Sequence, residues 1–139
     1  MKNKVIGFTS VVGDLLHVGH IAMINECKLH CDYLYVGVIS DPTIDRPKKN
    51  KPIESLFERY FRIRNHKGVD EVVPLTGEAD LELAISVLPI DIRFVGSDYL
   101  NKDFTAKKLC EQKGIKIFYN DRSHGLSSTN LRERIKETK

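Results

Sequence analysis

Several things are scarce in this chain, and each scarcity removes a class of protein. No apolar run approaches the roughly 20 residues that a membrane-spanning helix needs, so no membrane partner is expected. The opening Met1-Lys2-Asn3-Lys4-Val5-Ile6 enters a strand-like segment without the apolar stretch and cleavage site of a secretory signal. Cysteine is limited to Cys27, Cys31 and Cys110, an odd number without the spacing of a disulfide framework. Together these point to a reducing cytoplasm. An excess of one charge is also lacking: 22 Lys and Arg against 19 Asp and Glu leave +3, too little to argue for a nucleic-acid partner. Internal repeats and low-complexity linkers are absent as well. What remains is 139 residues, 41% hydrophobic and 29% charged, the composition of one globular domain.

Apolar strand-like runs alternate with helix-like stretches along the whole chain. The pattern predicts strands over residues 4–9, 33–40, 70–74, 90–95 and 115–119, and helices over 18–30, from 55 to near 68, and over 80–88, 105–113 and 128–137. The second strand, Tyr-Leu-Tyr-Val-Gly-Val-Ile-Ser, is apolar on both faces, as a buried parallel strand should be. Residues 41–52 are basic, polar and proline-rich and read as a loop. Ser55-Leu56-Phe57-Glu58 has capping-box spacing, and Gly114 closes the fourth helix. Strict alternation argues for an α/β, Rossmann-like, doubly wound parallel five-stranded sheet, covered by helices on both faces, in a single domain over residues 1–139. Ligands of such sheets bind outside the carboxyl ends of the strands, which directs attention to the turns after strands one, two, four and five.

The first turn reads Asp14-Leu15-Leu16-His17-Val18-Gly19-His20. Two histidines three apart at a helix start share one face. With the open N–H groups of the first turn they suit a phosphate, although two surface histidines or a metal pair have the same spacing. Near the other end stands Arg122-Ser123-His124-Gly125-Leu126-Ser127-Ser128-Thr129, where hydroxyls and N–H groups before a helix either cap it or hold phosphate oxygens. Between them lie Phe94-Val95-Gly96-Ser97-Asp98-Tyr99, the pair Glu58-Arg59 followed by Val69-Asp70-Glu71-Val72, and the basic loop Arg46-Pro47-Lys48-Lys49-Asn50-Lys51. Cys27, His30 and Cys31 look metal-like, but no fourth ligand is near and small apolar side chains suit that helix face, so no protein metal site is expected. His66 reads as a partner of the nearby helix end rather than a catalyst.

The first string, placed between strand one and helix one, resembles the signature of the HxGH nucleotidyltransferases, a superfamily of cytidylyltransferases and several adenylyltransferases. The second resembles the R-x-x-G-[ILV]-S-[ST]-T element of cytidylyltransferases, and the matches run in the family's order over nearly the whole chain. The best match is to glycerol-3-phosphate cytidylyltransferases. The resemblance implies His17, His20, Lys48 and Arg122 as catalytic residues. It implies a nucleotide site of Val12, Gly13, Asp14, both histidines, Gly96, Asp98, Arg122, Gly125, Ser127, Ser128 and Thr129. Lys48, Lys51 and Arg59 would bind the second substrate. CTP would be that site's nucleotide, Mg2+ would arrive on it, and the chain would form a homodimer.

The reaction implied joins sn-glycerol 3-phosphate to the α-phosphate of CTP and releases pyrophosphate. The attacking phosphate has a second pKa of about 6 and is already anionic at neutral pH, so the absence of a carboxylate pair fits. Gly96-Ser97-Asp98-Tyr99 and Ser127-Ser128-Thr129-Asn130 also resemble sugar-phosphate (heptose-type) adenylyltransferases that use ATP, and residues 76–81 lack a lysine that the glycerol-3-phosphate enzymes use there. A nucleotide-binding module without turnover is the non-enzymatic alternative. One departure concerns the first turn: relatives carry Gly-x-Phe-Asp where this chain has Val11-Val12-Gly13-Asp14. Gly13 would then leave open the space of an aromatic ring, and Val11→Gly with Gly13→Phe would tighten CTP.

Overall fold

The computed structural model describes residues 3–121 and 128–138. Strand and helix alternate as β1 (Ile6–Val11), α1 (Val18–Leu29), β2 (Tyr33–Ile39), α2 (Leu56–Arg64), β3 (Glu71–Leu75), α3 (Glu78–Val87), β4 (Ile92–Gly96), α4 (Lys107–Lys113), β5 (Lys116–Asn120) and α5 (Ser128–Glu137). One turn of 3-10 helix, Ser97–Tyr99, follows β4. The five strands form one parallel sheet in the order β3-β2-β1-β4-β5, the doubly wound α/β architecture expected. The chain leaves β1 toward β2 and β3, then returns across it to β4 and β5. The order therefore reverses between β1 and β4, where a crevice opens above the carboxyl ends.

Two apolar layers enclose the sheet. Leu34, Val36 and Val38, alternate residues of β2, pack with Ile24 and Cys27 of α1 and Ile63 of α2. On the opposite face Phe8 and Leu75 meet Leu81, Ala84 and Ile85 of α3 and Cys110 of α4. Each such side chain, fully buried, contributes about 1.5–3 kcal/mol. Cys27 and Cys31 fill the first layer, and burial pushes the Cys27 thiol up to about 12. Among the described residues no group of three or more His, Cys, Asp or Glu is placed to hold a metal ion, and no helix is long and apolar enough to cross a membrane.

Element ends depart from expectation where local geometry intervenes. The capping box of α2 is present: Ser55 Oγ accepts from the Glu58 N–H at 3.2 Å and Glu58 Oε1 from the Ser55 N–H at 3.0 Å. That helix stops at Arg64 rather than near Gly68, and His66 Nδ1 accepts the Gly68 N–H at 2.9 Å. Helix α4 begins at Lys107 instead of residue 105 because Ala106, at φ 67°, is left-handed and cannot lie within a helix. Gly114, at φ 72°, closes it as expected.

Candidate active site

Above the switch point lies a cavity of about 430 Å³, walled by the ends of β1 and β4, the start of α1, the loop after β2 and the first turns of α5. Its volume falls in the range of small-molecule sites. His17 and His20 both line it, with ring centroids 4.2 Å apart and planes tilted by 44°.

The two histidines build the helix start between them. His17 is the N-cap of α1, an office usually held by Ser, Thr, Asp or Asn, and its Nδ1 accepts from the Gly19 N–H at 2.9 Å. His20 Nδ1 accepts from the His17 N–H at 3.2 Å, which closes a reciprocal capping box. An imidazole whose Nδ1 accepts carries its hydrogen on Nε2 when neutral. Backbone geometry therefore fixes both rings in the tautomer that offers Nε2–H as donor. The expectation of open first-turn N–H groups is narrowed, because the Gly19 amide is held by His17.

The turn that carries them is braced by carboxylates and one arginine. Asp14 is 3% exposed, and its oxygens accept the N–H groups of Ile53 and Glu54, each at 2.9 Å, and pair with Arg132 of α5. Glu54 answers by accepting the Leu15 N–H at 2.6 Å. Burial opposes the charge on Asp14, but the Glu54 and Ile53 amides and Arg132 outweigh it and hold its pKa below the ordinary aspartate value.

Arg59 corrects the sequence reading. Expected to face the second substrate, it is 2% exposed, and its guanidinium donates to four backbone carbonyls: Glu54 at 3.2 Å, Val12 at 2.9 Å, Ile39 at 2.6 Å and Ser40 at 2.7 Å. It ties the ends of β1 and β2 to the segment before α2. With its guanidinium spent on the backbone, it holds the frame of the site.

Gly13 is a second correction. Its φ is +71°, and a Cβ there would sit 2.6 Å from Ile63 Cδ1. Ile63 already occupies the space where a side chain would start and the backbone is left-handed, so Gly13→Phe would strain the turn rather than brace it. Even Gly13→Ala is expected to lower unfolding free energy by about 2 kcal/mol, from the left-handed backbone and the displaced Ile63. Urea unfolding measures this, and equal stability of the two proteins would show that the turn relaxes freely.

In the basic loop the structure selects different residues from those expected. Lys49 and Asn50 line the cavity, whereas Lys48 and Lys51 are exposed outside its lining. Arg46 also lines it, with Nε on Glu78 Oε1 at 2.7 Å and Nη1 on the Tyr99 hydroxyl at 3.2 Å. Asp45 Oδ2 accepts the Glu78 N–H at 2.8 Å and so supplies the cap that Gly77 lacks at the start of α3. The loop is thereby docked on α3.

Val12, Gly13, Asp14, Gly96, Asp98 and Thr129, expected at a nucleotide site, all line the cavity. Arg122, Gly125 and Ser127 lie outside the described residues, as does the side chain of Ser128. The segment before them is anchored: Glu26 Oε1 accepts both the Asn120 side-chain amide at 2.7 Å and the Asp121 N–H at 3.0 Å. Sequence reasoning missed Arg93, Asn120 and Arg132, all of which line the cavity. A signal existed for Arg93, the only charged residue in the strand Ile-Arg-Phe-Val-Gly.

A family model described as cytidylyltransferase-like matches residues 14–134. The chain is 33% identical over 131 residues to the bifunctional protein HldE of Granulibacter bethesdensis, covering 94% of this chain and 27% of that protein. To the HldE of Helicobacter pylori strain HPAG1 it is 37% identical over 138 residues, covering 99% and 28%. It thus spans little more than a quarter of the length of these curated relatives. The lipopolysaccharide core biosynthesis protein of Thermoplasma volcanium superposes with a TM-score of 0.68 at 25% identity, covering 86% of this chain and all of the other.

Proposed function

Because the chain belongs to the cytidylyltransferase-like family of nucleotidyltransferases, we propose that it transfers the nucleotidyl group of ATP to a sugar phosphate. The supporting observation is likeness over nearly its whole length to HldE and to a lipopolysaccharide core protein. A lipopolysaccharide core is an oligosaccharide, and sugars enter such chains as nucleotide-activated donors. The resemblance of Gly96-Ser97-Asp98-Tyr99 to sugar-phosphate adenylyltransferases points the same way. CTP with sn-glycerol 3-phosphate is the second reading, favoured by the string from Arg122 to Thr129.

In this reading the acceptor's anionic phosphate oxygen forms a bond to the α-phosphorus. The bond from that phosphorus to the bridging oxygen breaks, and pyrophosphate leaves with the electron pair. No proton need be removed from the nucleophile, so catalysis is positioning and charge stabilisation. His17 and His20 present Nε2–H to the α- and β-phosphates. Lys49, rather than Lys48 or Lys51, stands nearest this role among the loop lysines, since it lines the cavity. Asp14 is committed to two amides and Arg132, so the residues present fit a magnesium ion carried by the triphosphate and water. When bound, that ion neutralises phosphate charge.

Pyrophosphate release from a panel of ATP and CTP with a sugar 1-phosphate and sn-glycerol 3-phosphate tests the reading. ATP with the sugar phosphate is expected to exceed CTP by at least tenfold in kcat/KM, about 1.4 kcal/mol. Turnover confined to CTP would transfer the assignment to the second reading. A bound nucleotide without pyrophosphate release from any pair would leave a binding module.

A further inference from the structure

Among the described residues Arg59 and Arg93 are almost equally buried, and they differ in how their nitrogens are used. Arg59 gives its hydrogens to four carbonyls. Arg93, 3% exposed in the wall of the cavity, donates Nη1 to the Thr105 carbonyl and shares a contact with the Cys110 thiol. Its Cζ lies 4.9 Å from the centroid of the Phe104 ring. Its Nε is buried and donates to nothing among the described residues. No carboxylate among them pairs with it either: the ion pairs are Lys28–Asp70, Arg46–Glu78, Arg62–Glu54 and Arg132–Asp14.

A guanidinium kept from water without an anion is disfavoured, and the Nε edge is one of those that can meet a carboxylate or phosphate as a planar fork. The neighbourhood does not neutralise it. Tyr99 packs edge-on against Phe104 at 5.9 Å and holds Arg46, whose own charge is matched by Glu78. Among the described residues Arg93 is therefore a buried positive charge in the cavity wall with no carboxylate paired to it.

We propose that Arg93 binds an oxyanion of the acceptor, either the acceptor's phosphate or a second acidic group on the same molecule, and so determines which phosphomonoesters are accepted. The term acceptor rests on the nucleotidyl-transfer reading above, whereas the anion site rests on Arg93 itself.

Calorimetric titration of the whole chain with sn-glycerol 3-phosphate, 3-phosphoglycerate and malonate separates the sources. Arg93→Met is expected to weaken at least one phosphate-bearing probe tenfold or more, with Arg93→Lys recovering part of the loss. Loss for both phosphate compounds identifies the phosphate as the oxyanion. Loss for 3-phosphoglycerate and malonate, with sn-glycerol 3-phosphate within twofold, identifies a second acidic group. Unchanged binding of all three, or no binding of any to the parent, overturns the proposal. So does an equal weakening of ATP and CTP, which would make Arg93 only an anchor for the loop at Thr105. If thermal melting shows Arg93→Met unfolded, Arg93→Lys alone decides, with at least threefold weakening expected and none contradicting. Anion binding that depends on Arg93 without pyrophosphate release from any acceptor would defeat the transferase reading and leave this site standing.

Discussion

Replacing His17 by alanine is expected to lower kcat by about 10²- to 10³-fold, the scale of a lost oxyanion donor, and to cost about 1 kcal/mol of stability. The two losses have different origins. Nδ1 caps α1 through the Gly19 amide and steadies the turn, whereas Nε2–H is the edge that the transfer reading assigns to phosphate. His17→Asn separates them, because an asparagine oxygen is among the best N-cap acceptors but cannot reach where Nε2 stood. Urea unfolding should place the asparagine variant within a few tenths of a kcal/mol of the parent, while pyrophosphate release stays near the alanine level. His20→Ala should show the same fall in rate, because its Nδ1 accepts the His17 N–H and orients the pair. An asparagine variant with more than half the parental kcat would remove His17 from the chemistry.

The fold was legible because it is written in periodicities that tertiary contacts reinforce. β2 is apolar on both faces and lies second in the sheet with both faces covered. Ser55 and Glu58 cap α2 as their spacing requires. The position of the cavity followed too, since a doubly wound sheet fixes where its strands end, and His17 and His20 line it there. Individual roles were less legible, because periodicity describes the faces of an element but not the reach of a long side chain at its end. Nothing local distinguishes Arg59 from a solvated surface arginine. Its acceptors on Val12 and Ile39 stand 47 and 20 residues away and become neighbours only in the folded sheet. Choosing Lys49 over Lys48 likewise needs the docking of Asp45 and Arg46 on α3. At Gly13 the constraints are not a missing ring but a left-handed backbone and Ile63, a contact made by α2 from fifty residues downstream.

The largest stability effect is expected at Asp14. Asp14→Asn should lower unfolding free energy at neutral pH by about 3 kcal/mol, the cost of breaking a buried pair while its partner remains. The amide can accept at one oxygen only, and its NH2 would face either the Ile53 N–H, which now points at Oδ2, or the Glu54 N–H, which now points at Oδ1. Arg132 would lose its anion, and with it the tie that holds α5, and Thr129 on it, against the cavity. A fall in kcat should therefore accompany the instability, because the side chain that lines the cavity also holds its frame. The pH dependence follows from the lowered pKa of the folded carboxylate. A group of this kind contributes fully above its unfolded value, about 3.9, and its contribution disappears as pH falls through the lower folded value. The gap between parent and Asp14→Asn should thus be widest at neutral pH and narrow steadily below about pH 4. Other carboxylates titrate in the same window in both proteins, so the informative quantity is the difference between the two urea-unfolding curves at each pH. A gap that stays constant down to pH ~3 would show that the charge on Asp14 does not hold the turn. The brace would then reside in the shape of the side chain alone.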